Sequence, residues 1–295
     1  MTYALVFVAA DRPSYFEAVR MLGRVALKRK RAPPRVLGPW EAAEWDYDAL
    51  DSELAAEAGE AVAGLAVDWA IVKAENRRKR LLVADMDSTI ITVECLDELA
   101  DYAGLKAEIA AITERAMRGE LVFEDALRER VGKLKGLGLD ALARCYEERV
   151  RLTPGARTLA RTMAAHGARC VLVSGGFTFF TARVAEAAGF HAHFANTLID
   201  DGAALTGGVG APILGRAAKL ETLTREAAAL ALTPADALAI GDGANDLDMI
   251  RAAGLGLAYR AKPIVAAEAD AQIAHTTLET ALYFQGYAQR EFAGG

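Results

Sequence analysis

The sequence contains little cysteine and histidine, and the few residues of both types are scattered. Its 295 residues include three cysteines, Cys95, Cys145 and Cys170, with no CxxC pair among them. This composition disfavours a disulfide framework and a cysteine-rich zinc module, and it favours the reducing cytoplasm as the compartment. The four histidines lie outside the motifs described below, so a histidine-based hydrolase site is not expected.

The sequence also lacks a long hydrophobic run. Its longest apolar stretches, such as Tyr3–Ala10 and Leu81–Ala84, fall far short of the roughly 18–20 residues that a membrane-spanning helix requires. Met1–Ala10 has no basic segment, so no signal peptide is expected. The mean hydropathy of +0.14 comes mostly from alanine in helical segments. We therefore expect a soluble, globular, cytoplasmic protein without a membrane partner.

Positive charge is in deficit as well. Lysine and arginine number 34 against 40 aspartates and glutamates, which gives a formal net charge of −6. This balance argues against a nucleic-acid partner bound through a net positive field. The length predicts about two domains, at roughly 150 residues each.

The first part of the chain, residues 1–78, carries no recognisable catalytic constellation. Its apolar patterns predict a small α+β domain with only one or two clear strands. The strands are expected at Tyr3–Ala10 and Arg35–Leu37, and the helices at Phe16–Lys28, Asp48–Ala58 and Ala61–Ala74.

From Leu81 onward, short apolar runs alternate with amphipathic helical stretches. Three runs, Leu81–Ala84, Cys170–Val173 and Ala237–Ile240, end abruptly in aspartate, serine or glycine. Repeated strand, polar loop and helix is typical of an α/β fold in which helices cover both faces of a parallel sheet. Ligands of such sheets bind outside the carboxyl ends of the strands, so the three polar loops are expected to converge on one site.

Two insertions interrupt this alternation. Residues 94–152 show helical periodicity directly after the first strand end, which predicts a helical cap over the site and a core formed by residues 79–93 and 153–295. The second insertion, Asn196–Val209, has Asp200-Asp201-Gly202 between apolar flanks and predicts a β-hairpin. The cap helices are expected at Cys95–Ala103, Lys106–Arg118, Phe123–Lys135 and Asp140–Arg149.

Two carboxylates, Asp85 and Asp87, follow the first of these strands. Like charges this close raise each other's pKa unless a cation intervenes, and Mg²⁺ prefers such oxygen ligands. Asp85 is suited to act as a nucleophile, and Asp87 is placed to protonate a leaving oxygen. The alternative interpretation of either residue is an Asx-turn or a helix N-cap that joins strand to helix.

The second strand end carries Ser174-Gly175-Gly176, which allows the backbone to approach an anion closely. An ordinary turn fits this run equally well, and Ser174 lacks the G-x-S-x-G context of a hydrolase nucleophile. Lys219 is a candidate for the positive charge that a phosphoryl oxygen needs, with a solvated helix lysine as the alternative.

The third strand end carries a second carboxylate cluster, Asp242 and Asp246. This cluster is suited to complete a Mg²⁺ site that begins with Asp85. The segment lacks the third glycine of a dinucleotide-binding fingerprint, and no Gly-Lys-Ser/Thr of a P-loop follows it.

In order and approximate spacing, these motifs resemble the haloacid dehalogenase (HAD) superfamily, and the cap sequence resembles that of the phosphoserine phosphatase family within it. The resemblance covers about residues 79–286. It implies a HAD-like, Rossmann-like parallel sheet with an inserted helical cap. It also implies Mg²⁺-dependent hydrolysis of O-phospho-L-serine through a phosphoaspartyl intermediate, the last step of serine biosynthesis. The motifs concerned are Asp85–Thr89, Glu94–Ala100, Ile112–Glu120, Phe123, Leu127–Val131, Ser174–Thr178, Lys219 and Gly241–Asp246.

The resemblance implies a role for each acidic residue of the core. Asp85 would be the nucleophile and a metal ligand. Asp87 would be the general acid and then the general base, with its backbone carbonyl on the metal. Asp242 would be the third protein ligand, and Asp246 would support the metal site.

It also implies that cap and core share substrate binding. Glu94 would face the substrate ammonium group and Arg130 its carboxylate, while Met117 and Phe123 would shield the closed site. The core residues that would hold the phosphoryl group are Ser174, Gly175 and Lys219, assisted by Asn245.

Residues 1–78 depart from the pattern of some relatives, which carry a regulatory βαββαβ module there. Because few strands and no serine-binding pattern are recognisable, we predict a shortened or degenerate module that serves packing or homodimerisation. Two alternatives stay open for the whole chain. One is a phosphatase of the same fold that acts on another small phosphomonoester, and the other is a non-catalytic protein that senses a metabolite.

Overall fold

The computed structural model describes residues 2–117 and 120–294, without the side chains of residues 116 and 117. The described chain contains a four-stranded sheet near the N-terminus, a six-stranded sheet and a two-stranded hairpin. Among these residues, no helix combines the length and the apolar character needed to cross a bilayer.

The N-terminal module has the element order βαββαβ and an antiparallel sheet of strand order β2-β3-β1-β4. Its first helix begins after Asp11, whose Oδ1 accepts a hydrogen bond of 2.7 Å from the backbone N–H of Ser14, as a helix N-cap does. The elements are β1 (Tyr3–Ala9), α1 (Arg12–Lys28), β2 (Arg35–Gly38), β3 (Ala42–Tyr47), α2 (Leu54–Val62) and β4 (Val67–Lys73).

The predicted helix at Ala61–Ala74 is wrong for most of its length, because β4 occupies Val67–Lys73 and pairs with β1 along seven residues. Val67 and Ile71 contact the apolar cluster beneath α1 and α2, whereas Ala70 and Val72 join a cluster formed with residues of the six-stranded sheet and its flanking helices. With both faces covered, the strand shows no alternation of apolar and polar residues, which hides it from pattern analysis. The module is complete rather than shortened.

The remainder of the chain forms the predicted α/β fold. Its sheet has the order β12-β11-β10-β5-β6-β7, and every neighbouring pair is parallel. The three strands predicted from sequence are confirmed as the adjacent strands β10, β5 and β6. The elements are β5 (Leu81–Ala84), α3 (Cys95–Tyr102), α4 (Lys106–Met117), α5 (Phe123–Lys133), α6 (Leu139–Arg149), α7 (Ala156–Ala165), β6 (Arg169–Phe177), α8 (Thr178–Ala188), β7 (Ala192–Asn196), β8 (Leu198–Asp200), β9 (Leu205–Val209), α9 (Arg216–Ala229), β10 (Ala237–Gly241), α10 (Leu247–Ala252), β11 (Leu255–Tyr259), α11 (Pro263–Ala266), β12 (Ala271–Ile273) and α12 (Thr280–Phe284).

The predicted helical insertion is confirmed as α3–α6, between β5 and α7. The chain enters and leaves it through two antiparallel segments, bridged at Ile91 and Leu152. The predicted hairpin is also confirmed, as β8 and β9. It bonds to the loop between α5 and α6, since the N–H of Gly136 donates to the carbonyl of Leu205 at 2.8 Å and the N–H of Leu139 donates to the carbonyl of Ala203 at 3.0 Å.

Polar and apolar contacts join the N-terminal module to the core. The face of its sheet that α1 and α2 leave uncovered packs on α12, and both belong to one hydrophobic cluster. The buried Asp68 carboxylate on β4 accepts hydrogen bonds from the backbone N–H groups of residues 274, 275 and 276 and from the Thr276 hydroxyl. The buried Glu44 on β3 accepts from Arg77 at 2.6 Å, and Arg77 also donates to the carbonyl of Phe284.

Candidate active site

The polar segments at the carboxyl ends of β5, β6 and β10 meet at one edge of the parallel sheet, as the sequence predicts. They form the floor of a cavity of about 600 Å³, and the helices of the insertion form its roof. Residues that line the cavity include Asp85, Asp87, Ser88, Glu94, Asp97, Phe123, Arg130, Ser174, Gly175, Asp242, Asn245 and Lys262.

Three carboxylates cluster on this floor. Asp85, Asp242 and Asp246 each bring an oxygen within 4.8 Å of the others. The buried Lys219 Nζ lies 2.6 Å from Asp85 Oδ1 and 2.5 Å from Asp246 Oδ1. Two buried acids therefore share one ammonium group, and a third, half-buried acid lies beside them.

The electrostatics follow from this excess of negative charge. Burial raises the pKa of Asp85 well above its usual value, and the charge of Asp246 raises it further, against the opposing effect of Lys219. Burial and Asp246 also raise the pKa of Asp242. Burial acts to lower the pKa of Lys219, but the two carboxylates outweigh it and raise that pKa. A hard divalent cation with oxygen ligands, such as Mg²⁺, fits this donor set.

Asp87 is held differently from this cluster. Its Oδ1 accepts from the backbone N–H of Cys95 at 2.9 Å, and its Oδ2 accepts from the Ser174 hydroxyl at 2.9 Å. Burial raises its pKa, and these hydrogen bonds oppose the rise. The side chain is thus oriented between the insertion and the carboxyl end of β6, and its elevated pKa suits a group that gives and takes a proton.

The turn after β5 explains how the two aspartates come to face one cavity. Ser88 has φ +54°, a left-handed conformation that is uncommon for a residue other than glycine. The turn is closed by the N–H of Ile91, which donates to the carbonyl of Met86 at 3.0 Å, and by the N–H of Ser88, which donates to Val93. Strained backbone of this kind clusters at functional sites.

Glycine is required where the loops approach these carboxylates. A Cβ at Gly241 would lie 2.3 Å from Asp246 Cγ, and one at Gly176 would lie 2.9 Å from Asp87 Oδ2. At Gly175 the nearest atom to an added Cβ would be the tip of the Phe123 ring, at 3.3 Å. The absence of a side chain at these glycines therefore lets Asp246 and Asp87 approach the backbone, and it lets Phe123 of the insertion pack against Gly175.

The insertion contributes two groups of opposite charge to the cavity. Glu94 Oε1 accepts a hydrogen bond of 2.6 Å from the Ser88 hydroxyl. Burial, followed by the charge of Asp87, raises the pKa of Glu94 to about 7. Burial lowers the pKa of Arg130, while Asp97 and Glu94 oppose that change. Phe123 also lines the cavity and approaches Gly175 of the floor, and the side chain of Met117 lies outside the described part of the chain.

Sequence analysis missed two contributors to this site. The Thr89 hydroxyl donates to Asp242 Oδ1 at 3.2 Å. Lys262 lines the cavity, and its backbone N–H donates to the carbonyl of Asp242 at 3.1 Å. The sequence signal that could have identified Lys262 is the apolar strand β11 just before it. Because β11 lies next to β10 in the parallel sheet, the loop after β11 lies at the same carboxyl edge as the site.

Comparison with known proteins agrees with this geometry. Residues 82–251 match the family model of haloacid dehalogenase-like hydrolases, so the chain belongs to that superfamily. Within it, the chain is a member of the phosphoserine phosphatase family. A probable phosphoserine phosphatase of Schizosaccharomyces pombe is 36% identical over 293 residues, covering 99% of this chain and 97% of that protein.

Two further comparisons show how far the similarity extends along the chain. A phosphoserine phosphatase of Streptomyces coelicolor is 45% identical over 249 residues, which cover 83% of this chain but only 59% of that longer protein. The crystal structure of a probable phosphoserine phosphatase from Vibrio cholerae superposes with a TM-score of 0.79 at 32% identity, over 98% of this chain and 88% of that one. The similarity in fold therefore includes the N-terminal module.

Proposed function

We propose that this chain is a cytoplasmic, Mg²⁺-dependent phosphoserine phosphatase that hydrolyses O-phospho-L-serine to L-serine and phosphate, the last step of serine biosynthesis. The observation that carries the proposal is the shared cavity. An acid cluster with a buried lysine forms its floor, and a carboxylate and a guanidinium group of the insertion face that floor.

The two ends of phosphoserine need different partners. Its amino-acid end is zwitterionic, so the Glu94 carboxylate is suited to bind the ammonium group, and the Arg130 guanidinium is suited to bind the carboxylate in a bidentate manner. Both residues line the cavity that also contains the floor acids. We assign substrate selectivity to this pair.

The phosphoryl end is assigned to the core. The Ser174 hydroxyl, the loop N–H of Gly175, the ammonium group of Lys219 and the Asn245 side chain are suited to hold its oxygens. Mg²⁺, bound by Asp85, Asp242 and the Asp87 carbonyl with support from Asp246, would neutralise developing negative charge. The donor chemistry of the three carboxylates supports this assignment.

Asp85 and Asp87 divide the chemistry. An Asp85 carboxylate oxygen attacks phosphorus, and the bond between phosphorus and the serine oxygen breaks as Asp87 donates its proton to that oxygen. Asp87 then accepts a proton from water, whose oxygen attacks phosphorus and releases phosphate from Asp85. The hydrogen bonds of Asp87 to Cys95 and Ser174 keep its carboxyl group oriented for both steps.

We further propose that residues 94–152 act as a cap that opens and closes over a core of residues 79–93 and 153–295. Phe123 and Met117 would exclude bulk water in the closed state. Residues 1–78 would serve packing or homodimerisation.

The test is a phosphate-release panel over small phosphomonoesters, with and without Mg²⁺, for the wild type and Arg130→Ala. We expect preference for phosphoserine, and in the variant a KM for phosphoserine raised on the order of 10- to 100-fold, the cost of about 1.4–2.8 kcal/mol of lost ion pairing. Hydrolysis of p-nitrophenyl phosphate, which has no amino-acid end, should change little. Equal losses on both substrates would favour the alternative, a phosphatase for another small phosphomonoester.

A further inference from the structure

Asn196, the last residue of β7, is buried in the core and lies beneath the candidate site without lining its cavity. Its Nδ2 donates to the carbonyl of Gly175 at 2.8 Å and to the carbonyl of Leu214 at 3.3 Å. Its Oδ1 accepts from the backbone N–H of Leu214 at 2.7 Å. Both partners of Nδ2 are carbonyl oxygens, so the orientation of the amide is determined by its surroundings.

These partners belong to two different loops that meet at the site. Gly175 follows the parallel part of β6 and contributes the candidate phosphoryl-binding N–H. Leu214 precedes α9, the helix on which Lys219 projects to Asp85 and Asp246. The amide of Asn196 is therefore a direct link between the backbone that faces the phosphoryl group and the helix that carries the buried ammonium group.

The same two loops also support the cap. A Cβ added at Gly175 would lie 3.3 Å from the Phe123 ring, and one added at Gly215, next to Leu214, would also lie 3.3 Å from that ring. The ring of Phe123 thus rests on two glycines from separate loops. A change in the distance between these two loops would therefore move the phosphoryl-binding groups and also the surface on which Phe123 packs.

We propose that Asn196 is a positioning residue that sets the distance between the Gly175 loop and the start of α9, and thereby the geometry of the phosphoryl-binding groups. The proposal rests on the proposed function. An amide is required because the position must donate two hydrogen bonds and accept one, and buried backbone groups left without partners are costly. A displacement of about 1 Å in such groups is enough to cost on the order of 100-fold in rate.

The test variant is Asn196→Asp, which keeps the shape of the side chain but donates no hydrogen bond when ionised and at most one when protonated, so it cannot bond both carbonyls. Its matched control is Gln285→Glu, the same change from amide to carboxylate at a residue that is equally buried and that bonds to Lys79, Ala281 and Met163, none of which lines the cavity. We expect Asn196→Asp to lower kcat/KM by about 10- to 100-fold for phosphoserine and for p-nitrophenyl phosphate alike, because both share the phosphoryl group. Gln285→Glu should leave both values close to wild type at temperatures where it is folded.

Stabilisation by orthophosphate, measured as a shift in Tm, gives a second readout. It should be reduced in Asn196→Asp and retained in Gln285→Glu. If Asn196→Asp shows no cooperative thermal transition, Asn196→Ser, which keeps one hydroxyl donor, is measured instead and should show a smaller loss in kcat/KM of the same kind. Equal kcat/KM and equal phosphate stabilisation in the folded Asn196 and Gln285 variants would overturn the proposal.

The two proposals fail separately. A wild type that hydrolyses p-nitrophenyl phosphate but not phosphoserine would refute the proposed substrate and leave the role of Asn196 measurable on the former compound. A wild type that prefers phosphoserine, together with an unimpaired Asn196→Asp, would refute only the positioning role.

Discussion

Two groups of buried or half-buried carboxylates in this protein differ in how their charge is balanced. The N-terminal acids, Glu44 and Asp68, are saturated with partners: Glu44 faces two guanidinium groups, and Asp68 accepts hydrogen bonds from four donors. The site acids have fewer partners: the Lys219 ammonium group pairs with the buried Asp85 and Asp246, and the half-buried Asp242 accepts from the Thr89 hydroxyl. Burial alone therefore does not distinguish a structural acid from a functional one.

The difference lies in the balance of charge. A buried carboxylate with enough donors stabilises the contact that supplies them, and removing it leaves those donors unsatisfied. Carboxylates that outnumber their cations raise one another's pKa and retain affinity for a further cation or a reacting group. Substitutions in the two groups should accordingly have opposite effects on stability and activity.

The largest expected effect is on activity. Asp85→Asn should lower phosphoserine hydrolysis by at least about 10⁴-fold, because the amide cannot form the phosphoryl bond. Its Tm should stay equal or rise, since a buried negative charge beside Asp246 is removed. Phosphate release and thermal unfolding measure the two quantities. Unchanged phosphate release would contradict the assignment of Asp85 as nucleophile.

The next effect is on stability alone. Asp68→Asn should lower the free energy of unfolding by roughly 2–4 kcal/mol, because charge-assisted bonds from the 274–276 segment are weakened and one buried donor faces another. Activity below the transition temperature should be retained. The exposed Asp201, which also accepts backbone hydrogen bonds in its turn, provides the control Asp201→Asn, with a much smaller loss in urea unfolding. A loss of activity in folded Asp68→Asn would remove the distinction between the two groups.

Metal binding should affect the stability of the protein through the site acids and not through the N-terminal acids. At a Mg²⁺ concentration 100 times its Kd, the wild type should gain about 2.7 kcal/mol of stability relative to chelated protein, seen as a higher Tm. Asp242→Asn should lose most of this gain, whereas Asp68→Asn should show the full shift from its lower starting point. The same Mg²⁺ response in Asp242→Asn as in the wild type would place the ion elsewhere.

The smallest expected effect is a pH dependence of the chelated protein. The pKa values of Asp85, Asp87 and Asp242 are raised by burial, and that of Glu94 is raised to about 7 by burial and Asp87. The folded state then binds protons at pH values where the unfolded chain has lost them, so these groups contribute stability that appears as the pH falls. The Tm should rise from pH 8 to pH 6, and less so in Glu94→Gln. A flat Tm over this interval would contradict the raised pKa of Glu94.

Much of the core was predictable because its signals are local. The strands β5, β6 and β10 are short apolar runs that end in aspartate, serine or glycine, and the parallel sheet brings those ends together. The helices of the insertion and the hairpin likewise show patterns that do not depend on distant residues. The family resemblance adds residue roles that spacing alone cannot assign.

The N-terminal module was harder to predict because its signals are not local. Glu44 on β3 is buried, and its partners are Arg35 on β2 and Arg77 in the segment after β4. A charged residue in the middle of a strand interrupts the apolar pattern from which strands are predicted. The guanidinium groups that balance its charge can be identified only from the three-dimensional structure. The same holds for Asn196, whose importance depends on two loops that are distant in sequence.

The shared hydrophobic cluster of the N-terminal sheet and α12 has a consequence for biosynthesis of the chain. Ala70 and Val72 of β4 pack in the same cluster as Leu282 and Tyr283 of α12. During translation at about 5–20 residues per second, β4 leaves the ribosome roughly 10–40 s before α12 is made. One face of the N-terminal sheet thus stays exposed to chaperones until α12 has been synthesised, and removal of α12 would leave that face exposed in the finished protein.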